Sequence, residues 1–195
     1  MAFQFVLILY WIALATWFGG VLFILVAAPI VFRTVRENDP LLPTVLSVNM
    51  EGQHGTLLAG TIMGNLLAAL TRIELICAVG LLVTLVAQWF MIRPSGGAAL
   101  LSAIVRSALY VAVVVFVLYD WRVVWPRVWK YRQEFLDNAD EPEKANPAKD
   151  QFDRYQRESV NLLMIRLALL LAIVLFSGSL SQPATSTTFT FSSRT

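Results

Sequence analysis

Cysteine and histidine are nearly missing from this chain, and charge is scarce. One cysteine among 195 residues excludes an internal disulfide, and Cys77 sits inside an apolar run where a buried, inert thiol is expected. One histidine, His54, excludes any site that needs two imidazoles from the same chain. Charged residues make up 14% of the sequence, well below the roughly 25% of soluble domains. No glycine-rich phosphate cradle, no nucleophile beside a base and no paired catalytic carboxylates can be found. The expectation is a protein that is not an enzyme, with no catalytic residues, no metal site and no cofactor.

What the chain has in abundance is apolar length. Hydrophobic residues make up 57% of it, with a mean hydropathy of +0.66, a membrane composition. Phe3 to Phe32 is almost unbroken apolar sequence. As a helix it rises about 45 Å, more than the roughly 30 Å hydrocarbon core requires. Val26-Ala27-Ala28 looks like a signal-peptidase site. Pro29 follows it directly, however, and no basic segment precedes it, so a retained transmembrane helix is expected. Trp11 and Trp17 are too far apart for one interface belt, which puts Trp17 deeper, against protein.

Further spans are expected at about 70–92, 98–120 and 158–180, giving an all-α, integral membrane four-helix bundle over residues 1–181. The segment from Val45 to Ala68 is expected as an additional interfacial or re-entrant helix before the second span. Its small residues Gly52, Thr56, Gly60, Gly64 and Ala68 recur every four positions. Together with Gly19 and Gly20 of the first span, Gly60 and Gly64 are candidate helix-packing positions. Residues 33–50 and 121–157 are expected as loops, the second broken by prolines between Asp137 and Asp150. The tail, 182–195, is Ser/Thr-rich and expected to be flexible, or else to add a strand to a partner's sheet.

After the third span comes WRVVWPRVWKYR, with Trp121, Trp125 and Trp129 four apart and basic residues including Arg127 and Lys130 between them. Beside a membrane span this pattern predicts a lipid interface rather than a nucleic-acid surface. Basic residues near span ends number ten on the face with the two longer loops and two on the other. That asymmetry predicts a cell-membrane protein with those loops cytoplasmic and both termini external.

Four charges lie within or close to the spans: Arg72, Glu74, Arg106 and Arg166. Intramembrane charges are costly and are candidates for function by default. Arg72 continues the small-residue stripe and is expected to face packed protein, or to snorkel to the headgroups. Glu74 and Arg166 enter from the same face, which predicts a pair across helices. Arg106 has no acid at its depth and is expected to snorkel the other way. Met50, Glu51 and His54 form the one metal-like cluster, which lacks the further ligands a shell needs.

Three segments resemble a known family. WFGGVLFILVAAPIVFR, PRVWKYRQEF and FDRYQRESVNLL are similar to the first helix, the segment after the third helix and the fourth-helix entry of the transmembrane protein 205-like family. The resemblance implies four spans and no established activity. Gln156 stands where that family's pattern has histidine, and Asn161 follows Ser159 more closely than in the pattern. A weaker similarity, through Trp17 to Gly20, is to copper-resistance membrane proteins. Two functions fit these residues: a structural or accessory module that packs with membrane lipids, partner membrane subunits or its own copies, or a small transporter or binder of an anionic solute.

Overall fold

The computed structural model describes residues 2–38, 54–92, 97–138 and 140–178. Five helices fill them: α1 (Ala2–Asn38), α2 (His54–Ile92), α3 (Gly97–Tyr119), α4 (Trp125–Asp137) and α5 (Pro142–Ser177). A π-helical turn, Asp120–Val124, fuses α3 and α4 into one rod. Four rods are therefore long and apolar enough to cross a membrane, and the chain is an all-α membrane protein.

Each rod buries a narrow stripe and leaves most of its other side chains exposed. Tyr10, Leu14, Trp17, Val21 and Ile24 form that stripe on α1. Arg106, Tyr110, Val113, Val117, Asp120 and Val124 form it along the third rod. Alternating steps of three and four keep one side of a helix toward its neighbours. Outside the stripes, Ile76, Phe90 and Leu175 are almost bare, as lipid-facing side chains should be. α1 packs mainly on α2, and α3 and α4 pack on α5, which also touches α1.

The described part of the expected interfacial helix, from His54, is not a separate element. Residues 54–92 form one helix of 39 residues, about 58 Å long and well beyond a membrane's width. Nothing between His54 and Ile92 breaks a helix, since no proline occurs there, and the rod simply continues out of the membrane. Residues 45–53, Arg93–Gly96 and the tail lie outside the described residues.

The proline-broken loop is also helical. Pro142 occupies the first turn of α5, where its missing N–H costs nothing. Pro147 is accommodated a turn later, where only one helical hydrogen bond is forfeited. α4 and α5 form a hairpin closed at Asn138–Glu141 by backbone bonds such as Glu141 N to Asn138 O, 2.9 Å. Tyr131 and Tyr155 stack across it with ring centres 5.5 Å apart. Ala145 and Ala148 are buried.

The π turn has a local cause. Pro126 cannot donate to the carbonyl of Arg122 and its ring crowds that oxygen. The Trp125 N–H bonds to Asp120 O instead, five residues back. One added residue rotates the helix face, and such turns recur where a side chain must be aimed inward. Here that side chain is Asp120.

Candidate functional site: a buried charge network beneath an apolar cavity

At one level of the bundle each rod contributes a polar side chain. The Trp17 indole donates to Glu74 Oε1 at 3.0 Å. Arg166 donates through Nη1 to Glu74 Oε2 at 2.7 Å and through Nη2 to Asp120 Oδ2 at 2.6 Å. Ser159 donates to Asp120 Oδ1 at 3.0 Å. Glu74 is 0% exposed and Arg166 2%, while the Asp120 side chain keeps 12%, so the centre of the network is buried. Every carboxylate oxygen has a donor, which is the condition for tolerating such charges in a low dielectric.

The arrangement is a triad where the sequence suggested a pair. The structure pairs Glu74 with Arg166, and it adds Asp120 as a second acid. Asp120 follows Val117 by three on the buried stripe of the third rod, and that periodic position is the signal that marks it. Trp17 lies deep against protein with its indole N–H engaged. The depth of Trp17 was legible but its bond to Glu74 was not, and Ser159 carries no charge that would set it apart from its neighbours.

Arg72 and Arg106 lie elsewhere. Arg72 is exposed, so it does not face packed protein. A repeat of four drifts about 40° per step around a helix with 3.6 residues per turn, which turns the stripe away from the core before it reaches Arg72. Arg106 does not snorkel: it is 5% exposed. Its Nε donates to Ser102 O at 3.3 Å, and its Nη1 has no protein partner among the described residues. Gln88, 4% exposed, likewise has neither amide atom bonded there. The Trp89 N–H to Ser107 Oγ contact, 3.5 Å, puts these two buried side chains at the same height.

Gly60 and Gly64 do not bring helices together. A Cβ at Gly60 would meet nothing within 4 Å, and one at Gly64 would meet only the Trp125 ring at 3.8 Å. Both line a cavity of about 230 Å³ between α1, α2, α4 and α5. Gly19 is similarly open, whereas a Cβ at Gly20 would lie 3.0 Å from Leu70 Cδ1. The close backbone approach falls at Gly55, where a Cβ would lie 3.3 Å from Val35 O.

The cavity stands directly on the charge network, because Ser159 lines it and also binds Asp120. Its walls are mostly apolar, with Arg132 and Gln156 as the other polar side chains besides the indoles. Arg132 donates to Thr61 and lies 5.3 Å over the Trp129 ring. Trp125 and Trp129 both line the cavity, and Trp129, like Trp121, is also exposed on the outside. Arg127 and Lys130 are exposed as well, Lys130 beside Glu134 at 3.6 Å.

No family model, curated protein or solved structure matches this chain. Its chemistry is therefore read from the site alone. Among the described residues no three His, Cys, Asp or Glu side chains are grouped to hold a metal. The side chain of His54 and residues Met50 and Glu51 lie outside what is described. Each carboxylate oxygen of the two acids of the network has a donor.

Proposed function

We propose that this chain is a structural or accessory membrane module, packed with lipid or with partner subunits. The observation that carries the reading is the saturated network of Trp17, Glu74, Asp120, Arg166 and Ser159. In a bilayer, helices gain no hydrophobic force by associating, and interhelical polar contacts and packing set their register. A network with one member from every rod fixes all four registers at once. It offers no unsatisfied group with which to do chemistry.

We infer a relation to the transmembrane protein 205-like proteins from the resemblance of the three segments alone. Two of the resembling segments supply network members, Trp17 and Ser159, and the second also supplies Gln156 to the cavity. Cytoplasmic placement of the α4–α5 hairpin, with external termini, belongs to this proposal and rests on the basic residues.

One observation favours the second reading, an anionic solute. Arg106 and Gln88 are buried at one level with unbonded donors, and buried polar groups of this kind call for a partner. Proteoliposomes decide between the two. A structural module leaves chloride and phosphate uptake at the level of empty liposomes. Uptake above that level, lost in Arg106→Met, transfers the assignment to solute transport.

A further inference from the structure

We propose that Arg106 and Gln88 hold one small monovalent anion that carries a hydroxyl, of the bicarbonate type, in the half of the bundle away from the charge network. The inference goes beyond the module reading. It shares two side chains with the solute reading but requires no passage across the membrane.

Charge demands a counterion. Arg106 is 5% exposed, and a guanidinium keeps its charge inside a protein. A buried charge is costly enough that native structures pair it. No acid of this chain stands where it could do so. Asp and Glu are missing from residues 1–36, 75–119 and 159–195, which supply this half of every rod. The nearest acid on its own rod, Asp120, is 14 positions away, about 21 Å, and is bound to Arg166. The counterion must come from outside the chain. Arg106 Nη1 is itself buried, where a carboxylate or phosphate fixed to a partner or a lipid cannot follow. A small free ion can.

Position brings the two side chains together. The Tyr110 hydroxyl donates to Ala78 O at 2.8 Å, which sets α3 against α2. Arg106 lies one turn beyond Tyr110 on the same buried stripe, away from the network. Its bond from Nε to Ser102 O draws the head further in that direction. Gln88 lies ten positions beyond Ala78, about 15 Å, and leans back toward the start of its own helix. The two heads therefore approach one level from opposite sides, beside the contact of Trp89 with Ser107. Small side chains at that level, Ala87, Ser102 and Ala103, suit an ion of few atoms.

Hydrogen bonding selects the ion. Three buried atoms have no partner among the described residues: Arg106 Nη1, Gln88 Nε2 and Gln88 Oε1. Two donate and one accepts. A halide satisfies the donors and leaves the amide oxygen stranded. Bicarbonate satisfies all three. Its O–H donates to Gln88 Oε1, a second oxygen accepts from Nε2, and the third accepts from Arg106 Nη1. An unmade bond at a buried polar atom carries a penalty, so the ion with the hydroxyl is preferred.

The test uses the full chain in mild detergent, exchanged into sodium gluconate, whose anion is too bulky for the site. Sodium bicarbonate or sodium chloride is added at equal ionic strength and pH while the melting temperature is followed, and isothermal titration calorimetry counts bound bicarbonate. One per chain is expected. At ten times its dissociation constant, bicarbonate should raise the melting temperature by about 3–6 °C. Chloride should bind about tenfold more weakly, because Gln88 Oε1 stays unbonded. Arg106→Met should melt above the parent in gluconate and respond to neither salt. Gln88→Leu should respond to both salts and lose the preference for bicarbonate. If Arg106→Met does not fold, that lost preference in Gln88→Leu still tests the site.

A parent that responds to neither salt overturns the proposal. So does a response that survives in Arg106→Met, since that is a general salt effect. Chloride bound as tightly as bicarbonate by the parent, or a bicarbonate preference retained in Gln88→Leu, overturns it as well. The module reading fails by a different measurement, uptake into proteoliposomes, and binding without uptake leaves it standing.

Discussion

Neutralising the charge network one residue at a time separates a triad from a pair. In Glu74→Gln the amide oxygen can still accept from Trp17, while Arg166 keeps Asp120 at 2.6 Å. The loss is one charge-assisted hydrogen bond, about 1.5–3 kcal/mol. Asp120→Asn is its mirror image, with Arg166 held by Glu74 at 2.7 Å, and costs about the same. Arg166→Met strands two buried carboxylates and should cost at least the ~3–5 kcal/mol of a broken buried pair. Adding Glu74→Gln to Arg166→Met does not restore stability, because Asp120 stays charged without its partner. Only the triple variant, with Asp120→Asn as well, removes every stranded charge. It should return to within about 2 kcal/mol of the parent, since replacing buried ion pairs by neutral groups is often nearly neutral. Reversible unfolding of the purified protein in mixed micelles measures all five variants. Full recovery in the Glu74→Gln/Arg166→Met double refutes the role of Asp120. A triple variant as unstable as the summed single losses refutes the network altogether.

Other expectations follow from the same geometry. Arg106→Met should raise the melting temperature in the structural reading, because it removes a buried charge without a carboxylate partner; a fall in melting temperature contradicts that. Gly20→Leu, whose Cβ would start 3.0 Å from Leu70, should lower the yield of folded protein, whereas Gly60→Leu should not, as fluorescence-detected size exclusion will show. Tyr155→Ala removes the stack on Tyr131 and should cost about 0.5–1.5 kcal/mol, read as earlier proteolytic cleavage of the α4–α5 hairpin. A cysteine at Asn138 should resist an impermeant thiol reagent in intact cells while one at Ser186 reacts, with low background because Cys77 is buried; the reverse pattern overturns the orientation.

Much of the architecture was legible in the residues. Four apolar stretches gave four rods, and the depth of Trp17 and the meeting of Glu74 with Arg166 could be anticipated from position along a span. Loops were less legible. The prolines at 142 and 147 read as breakers, yet the first costs nothing at a helix start and packing of Ala145 and Ala148 holds the hairpin. The glycine repeat read as a packing seam, but whether a bare backbone meets a neighbour or opens a cavity depends on what stands opposite. Opposite Gly64 stands Trp125, from a helix 61 positions further along the chain.

By itself, then, the sequence determined the solvent of this protein and the number of its spans, because hydropathy and helix length are properties of each segment alone. Convergence is not such a property. Trp17 meets Glu74 across 57 positions, Arg166 meets Glu74 across 92, and Arg166 meets Asp120 across 46. Only the tertiary structure decided those meetings, through the face each rod turns inward and a π turn that Pro126 makes favourable. It also decided where the cavity opens, because empty space is left by side chains from four helices at once.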